Sequence, residues 1–307
     1  VVSGFFLNDT VCVMLTVPVL AVLRRTTLPV APYLIALAMS ANIGSVMTVV
    51  DRSHVASSFT VVKGTMLEET YEVFRRWDFT ASKQENLGRL REGNYIGATS
   101  GTWLRDVAKV MNRRYDPASR DRALVVLAKG GCPLDEWRPI ALWHMTRDEF
   151  LLRDFLQGWL FSAYNDGAYR IRPGDLDEYM RSVSERGGII EHAWSDATRE
   201  RVAAGLLKAA ADFRLLHGVA AKEFATFHLP ERSFLYLLHA MRDTGAVPRK
   251  VVDAPDWRMY LMRPADVERE LLRLHQFHQL RYEVAGSIVE LALPRRTALE
   301  YAESMVA

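Results

Sequence analysis

Cysteine is scarce in this chain, and its two cysteines lie far apart in unlike surroundings. Cys12 falls in an apolar stretch near the start, and Cys132 follows a pair of glycines. Two isolated cysteines argue against a disulfide framework and against a cysteine-based structural zinc site. We therefore expect a reducing environment for most of the chain, and we interpret Cys132 as a small buried apolar residue.

The sequence also lacks the short motifs that mark common enzyme classes. "KGTMLEET" is not a phosphate-binding loop, and "AKGGC" lacks the Lys-Ser/Thr that should follow. His275 and His278 are three residues apart, as metal ligands can be, but no cysteine and no His-Glu-x-x-His pattern accompanies them. We interpret them as solvent-facing, and we expect His144 and His217, which lie beside apolar residues, to be partly buried. The carboxylates form no acid/base pair, so we predict a protein without enzymatic activity, metal or cofactor.

Two apolar runs open the chain and meet the length needed to cross a bilayer. The segment "FLNDTVCVMLTVPVL…PYLIALAMSANIGSVMT", within residues 4–48, resembles the superfamily of citrate and arsenite permeases. That resemblance implies an ion and substrate site on broken helices, and it places the following residues there: Asn8, Asp9, Thr10 and Asn42. The alternatives are a gene-fusion remnant, a start site placed too far upstream, or a membrane anchor.

Composition changes at Asp51, after which charged and apolar residues alternate at helical spacing. We predict helices within residues 65–77, 85–94, 101–115, 121–131, 134–164, 173–188 and 195–218. Thr102 and Ser195 are the expected N-caps of two of them. The fold class is predicted to be mainly α: a multi-helix globular body that follows an apolar helical hairpin.

The last part of the sequence has a different pattern. Residues 256–294 predict a short strand, then a helix that begins at Pro264, then a β-hairpin with Gly286 at its turn. A helix followed by a hairpin is what a winged-helix module contains. We therefore predict three segments: an apolar segment over residues 1–50, a helical body over 51–250 and a winged-helix-like unit over 251–307.

Positive charge is concentrated in one part of a chain whose formal net charge is only +2. Between residues 81 and 130, ten basic side chains against five acidic ones give a local net charge of +5. Arg105, Lys109 and Arg113 recur every four residues and so share one helix face, while Leu104, Val107, Ala108 and Met111 form another face suited to the core. Small and hydroxyl residues precede this helix in "GATSGT" and leave helix N-terminal amides for an anion. This pattern predicts contact with a polyanion, the alternative being a solvated basic face without a ligand.

An ordered series of local patterns runs from about Ser57 to Pro294: "SSFTVVKGTMLEETYEVF", "NYIGATSGTWLRDVAKVMNRRY", "EWRPIALWHMTRDEFLLRDF", "LPERSFLYLLHAM" and "DWRMYLMRPADVERELLRLHQFHQLRYEVAGSIVELALP". This series resembles the BrxA family of the BREX phage-defence systems. The resemblance implies a helical, non-enzymatic protein that binds double-stranded DNA beside other BREX components. It implies that the membrane label given to that family is wrong, and with the cysteine usage we expect a cytoplasmic location, the alternative being the inner membrane through residues 1–50.

Mapped onto this chain, the resemblance and the charge pattern predict one set of DNA contacts around the basic helix. These residues are Thr99, Ser100, Thr102, Arg105, Lys109, Arg113 and Arg114. Arg281 and Ser287 of the C-terminal hairpin are a secondary candidate, acting as a wing on the duplex. We expect few contacts with base edges, because no Asn/Gln/Arg cluster is arranged to read them.

Overall fold

The computed structural model describes residues 55–190, 193–286 and 288–307. The four predicted permease-site residues and the apolar helical hairpin lie outside these ranges, as does Ser287. Residues from Ser53 to Ala307 form one compact unit. The mainly helical fold with a C-terminal β-hairpin is confirmed.

The α-helices follow one another with short connections. In chain order they are α1 (Ser58–Lys63), α2 (Leu67–Arg75), α3 (Lys83–Gly93), α4 (Gly101–Arg114), α5 (Arg122–Lys129), α6 (Leu134–Thr146), α7 (Phe150–Asp154), α8 (Phe161–Asn165), α9 (Asp177–Arg181), α10 (Asp196–Asp212), α11 (Glu231–Asp243), α12 (Pro248–Val252), α13 (Pro264–Gln276) and α14 (Ala298–Val306). A π-helical segment, Phe155–Leu160, joins α7 to α8, and there are short 3₁₀ turns at Pro173–Leu176, Ser184–Arg186 and Pro255–Tyr260.

Two antiparallel hairpins complete the described fold. Strands β1 (Leu216–His217) and β2 (Glu223–Phe224) form the first, and β3 (Arg281–Ala285) and β4 (Ile288–Ala292) form the second. The second hairpin turns at Gly286, whose φ of 62° is readily adopted by glycine. This agrees with the prediction from the sequence.

Helices α6 and α11 lie at the centre of the core. Every residue from Trp137 to Thr146 and from Ser233 to Met241 is buried. The Tyr260 hydroxyl donates to the carbonyl of Pro139 inside α6, at 2.8 Å. The C-terminal helix α14 packs on α5 and α11, so residues 251–307 share the core of the helical body.

The predicted short strand at the start of residues 256–294 is wrong. Pro255–Tyr260 is a 3₁₀ turn, in which Trp257, Met259 and Tyr260 are all buried. The Trp257 indole donates to the carbonyl of Val251 at 2.7 Å and holds the turn against α12. The alternation of buried Trp257, exposed Arg258 and buried Met259 resembles a strand, because a short 3₁₀ turn at the surface of the core also directs some side chains inward and others to solvent.

Helix α13 begins as predicted. Pro264 occupies its first turn, where a missing amide proton costs no helical hydrogen bond. The carboxylate of Asp266 accepts from the backbone amide of Arg263 at 3.0 Å. Ser195 likewise caps α10, as predicted, by accepting from the amide of Thr198 at 3.3 Å.

Candidate functional site

Helix α4 carries the predicted basic face on a solvent-exposed side. Leu104, Val107, Ala108 and Met111 are buried against the core, as the spacing predicts. Arg105 and Lys109 lie on the exposed side, and Arg113 is half-buried. We call these three cations the α4 stripe. At 1.5 Å per residue they extend over about 12 Å, which matches about three phosphates of one DNA strand.

The turn before α4 is held in place by Asn94, which has a left-handed backbone conformation (φ 40°). Its side-chain oxygen accepts from the amide of Ala98 at 2.8 Å, and its side-chain nitrogen donates to the carbonyl of Ala98 at 2.9 Å. This two-point contact closes residues 94–98 into a loop. The exposed residues Thr99 and Ser100 follow directly and lead into the helix.

The N-cap of α4 is Ser100 and not Thr102, which corrects the prediction. The Ser100 hydroxyl oxygen accepts from the amide of Trp103 at 3.1 Å. Thr102 lies within the first turn, and its hydroxyl accepts from the guanidinium of Arg105 at 3.1 Å. The amides of Gly101 and Thr102 precede the first intrahelical bonds, so within the described chain they remain available to water or an anion.

The Arg105 side chain folds back over this helix start. A Cβ added at Gly101 would lie 3.8 Å from the Arg105 Nη1 atom. A guanidinium, the hydroxyls of Ser100 and Thr102 and two first-turn amides therefore lie within one turn. Such a group of donors suits a phosphate.

Lys109 and Lys63 meet above one aromatic ring, a contact that sequence reasoning did not identify. The Lys109 ammonium lies 4.6 Å from the centre of the Phe59 ring, and the Lys63 ammonium lies 5.7 Å from it. Lys63 also pairs at 2.6 Å with Asp106, the acidic residue of α4. The negative charge of Asp106 is thus compensated beside the α4 stripe. The i,i+4 spacing of Phe59 and Lys63 was the available sequence signal.

Arg114 is buried, which removes it from the predicted DNA contacts. Its Nε atom donates to Glu149 at 2.9 Å, and its two terminal nitrogens donate to the carbonyls of Thr60, Gly64 and Thr65 at 2.9–3.0 Å. The Thr60 hydroxyl completes the network by donating to Glu149 at 2.6 Å. The side chain of Arg114 is only 3% exposed, so it stabilises the fold and is not accessible to DNA.

Other basic residues of the 81–130 region also bind to other groups of the same chain. The Lys83 ammonium donates to the carbonyl of Asn112 at 2.8 Å, and Arg89 pairs with Asp78 at 2.8 Å. Arg120 pairs with Asp148. Because Arg89 and Arg120 pair with acidic residues outside the 81–130 region, the charge excess available to a polyanion is smaller than the count of residues indicates.

The C-terminal hairpin is poorly suited to hold a phosphate through Arg281. Its guanidinium pairs with Glu283 at 2.9 Å and lies 3.6 Å from Glu290 on the neighbouring strand. These two carboxylates occupy directly paired positions on β3 and β4. Two negative charges beside one positive charge oppose an approaching phosphate.

The predicted histidine and cysteine environments are partly confirmed. His278 and His217 are exposed, His275 is half-buried and His144 is fully buried, so the predicted burial of His217 is wrong. In the described ranges no group of His, Cys, Asp and Glu side chains is placed to hold a metal ion. Cys132 is buried as predicted, and burial, with a contribution from Glu136, raises the pKa of its thiol to about 12.

His144 belongs to a buried polar network between α6 and α11. Its Nδ1 atom lies 2.6 Å from Asp121 and its Nε2 atom lies 2.8 Å from the hydroxyl of Tyr236. Burial lowers the pKa of His144 and outweighs the opposite effect of Asp121. These partners assign a neutral ring that donates from Nδ1 to the carboxylate and accepts from the tyrosine.

A protein-family model for BrxA matches residues 57–240, which is more than half of the chain. The chain belongs to the BrxA family. BrxA membership makes it a BREX phage-defence protein. The matched range contains the α4 stripe and the Arg114 network. The resemblance beyond residue 240 stays a prediction.

Two further comparisons found no match: no curated protein and no solved structure matches the chain. The permease resemblance of residues 4–48 has no support from these comparisons. Among the helices of residues 55–190, 193–286 and 288–307, none combines the length and the apolar character that a membrane span requires.

Proposed function

We propose that this BrxA protein is a non-enzymatic, cytoplasmic accessory protein of a BREX system that binds double-stranded DNA through its phosphate backbone. The observation that carries the proposal is the start of α4, where Arg105 lies over open helix amides and hydroxyls and Lys109 continues the same exposed face. Other BREX components are its expected protein partners.

Charge at the site supports backbone binding over a merely solvated face. Asp106 is paired with Lys63, and neither Arg105 nor Lys109 has an acidic partner within the described chain. A phosphate would therefore meet cations that are not already neutralised. Lys and Arg side chains together with helix amides are the usual donors to DNA phosphates.

Phosphate contacts of this kind carry little sequence information. The α4 stripe consists of two arginines and one lysine on one helix face. Base reading requires side chains that reach groove edges in pairs, and the proposed site relies on phosphate donors instead. We therefore expect similar affinity for duplexes of unrelated sequence.

The test is fluorescence anisotropy of a labelled duplex of about 20 base pairs at low salt, with the full chain. Arg105→Glu/Lys109→Glu is expected to weaken binding by at least about 100-fold, because two attractive phosphate contacts become repulsive. The matched control is Lys250→Glu/Arg258→Glu, which changes the net charge equally on exposed positions of α12 and the following 3₁₀ turn. Equal losses in both double variants would show a net-charge effect and would refute a site on α4.

A further inference from the structure

Asp106 is the one acidic residue of helix α4, and it lies among the cations of the α4 stripe. It follows Arg105 directly and precedes Lys109 by three residues, so the Asp106 and Lys109 side chains are neighbours on the helix surface. A carboxylate at this position repels a phosphate that approaches the stripe. How strongly it does so depends on the partner that the carboxylate has within the protein.

That partner is Lys63, the last residue of α1. The Lys63 ammonium lies 2.6 Å from the Oδ2 atom of Asp106, and the two side chains are 33% and 18% exposed. Ion pairs that water reaches contribute little free energy, because solvent screens the attraction. Another anion can therefore compete with Asp106 for the Lys63 ammonium.

The buried Arg114 network fixes the backbone of Lys63 beside α4. Arg114 donates to the carbonyl of Thr60, inside α1, at 2.9 Å and to the carbonyl of Gly64, directly after α1, at 3.0 Å. These bonds hold the end of α1 against α4. A change of partner by Lys63 therefore requires only a rotation of its side chain.

A phosphate bound by Lys109 would lie close to the Lys63 ammonium as well. Both ammonium groups lie near the Phe59 ring, at 4.6 Å from its centre for Lys109 and 5.7 Å for Lys63. Lys109 has no acidic partner among the described residues. The two lysines together could thus contact the DNA backbone, but one of them is held by Asp106.

Two other carboxylates in contact with α1 or with the residue after Gly64 are bound elsewhere. Glu149 accepts from the guanidinium of Arg114, and Asp212 accepts from the Thr65 hydroxyl at 2.7 Å. They do not replace Asp106 as a partner of the lysine.

We propose that the Lys63–Asp106 pair is an autoinhibitory contact, in which Asp106 withholds from DNA an ammonium group that would otherwise bind a phosphate beside Lys109. The inference rests on the proposed DNA binding by α4. In the wild type Lys63 stays with Asp106, and the α4 stripe supplies the phosphate contacts of this face. Neutralising Asp106 transfers Lys63 to the DNA. The pair thus keeps the affinity for duplex DNA below the value that the cations of this face can give.

The test is the salt dependence of duplex binding, measured by fluorescence anisotropy of the full chain with a labelled duplex of about 20 base pairs. Each phosphate contact contributes about −0.9 to the slope of log affinity against log salt concentration. Asp106→Asn is expected to bind at least about fivefold more tightly at about 50 mM salt, with a slope steeper by about 0.9, because Lys63 gains a phosphate. The matched control Asp116→Asn removes the same charge from an exposed position just after α4 and should leave the slope unchanged.

Variants of Lys63 separate autoinhibition from the two other possible roles of this lysine. Lys63→Gln should keep the wild-type slope, because Asp106 already withholds this ammonium group, and Lys63→Gln/Asp106→Asn should keep it too. A less steep slope for Lys63→Gln would show that Lys63 contacts DNA in the wild type. An unchanged slope for Asp106→Asn would show that Lys63 does not reach DNA at all, and either result overturns the proposal.

Two controls separate this proposal from the folding of the variants and from the proposed function. Thermal unfolding checks that Asp106→Asn is folded, and Asp106→Ala repeats the slope measurement with a second neutral side chain. A wild type that does not bind duplex DNA refutes the proposed function itself. Normal binding by the wild type, with the wild-type slope in both Asp106 variants, refutes only the autoinhibitory contact.

Discussion

Replacing Arg114 by methionine is expected to lower the free energy of unfolding by about 3–5 kcal/mol, whereas the same change at the neighbouring Arg113 should have little effect. Methionine fills a similar volume but leaves Glu149, whose side chain is 3% exposed, as an unpaired buried charge. It also removes the donors that satisfy the carbonyls of Thr60, Gly64 and Thr65. Urea unfolding followed by circular dichroism measures the loss.

Two comparisons make this prediction specific to the buried pair. Arg113→Met is expected to change the free energy of unfolding by no more than about 0.5 kcal/mol, as is usual for a site without buried polar contacts. Adding Glu149→Gln to Arg114→Met removes the uncompensated charge and should recover about 1–2 kcal/mol. A loss below about 1 kcal/mol for Arg114→Met, or no recovery in the double variant, would refute the structural role of the pair.

Three further predictions test other parts of the fold. Burial lowers the pKa of both His144 and His239 in the folded chain. The unfolded chain therefore binds more protons than the folded chain, and the free energy of unfolding decreases as the pH drops below about 6.5. Urea unfolding at pH about 7 and about 5 measures this loss of stability. His239→Gln should make stability depend less on pH. Equal stability of the wild type at both pH values would contradict the prediction. In a Cys12→Ser chain, Cys132, with its raised pKa, should react with a thiol reagent only on unfolding, and fast labelling of the native chain would count against its burial. Gly130→Ala would place a Cβ 2.3 Å from the Val306 side chain and should lower the free energy of unfolding by about 1–3 kcal/mol, measured by thermal unfolding. The control is Gly158→Ala, whose added Cβ has no neighbour within 4 Å and should not destabilise the fold. Equal effects of the two substitutions would argue against the packing of α14 on α5.

Several helices, among them α4, α10 and α13, and the second hairpin were predictable because each depends on local signals, whereas α11, α12 and α14 were not among the predicted helices. Apolar spacing placed the buried face of α4, and Ser195, Pro264 and Gly286 marked helix starts and a turn. These residues act on their immediate neighbours along the chain, so the sequence contains the whole signal. We predicted the N-cap of α4 two residues too late in the chain, because "GATSGT" offers several hydroxyl residues that can cap a helix.

The role of Arg114 was harder to predict, since its partner Glu149 is 35 residues away along the chain. The spacing of Val107, Met111 and Arg114 does place all three on the buried face of α4, and this was the one local signal. Charge alone could not separate Arg113 from Arg114. Long-range contacts of this kind decide which cations of a basic segment stabilise the fold and which are available to a ligand.

The salt dependence of DNA binding tests the central claim most directly. Fluorescence anisotropy of the wild type and of Arg105→Gln/Lys109→Gln, between about 50 and 200 mM salt, gives the slope of log affinity against log salt concentration. Each phosphate contact contributes about −0.9 to that slope, so the loss of two contacts should make it less steep by about 1.8. A slope that stays the same in the double variant, or a wild type that does not bind duplex DNA at the lowest salt, would contradict backbone binding by α4.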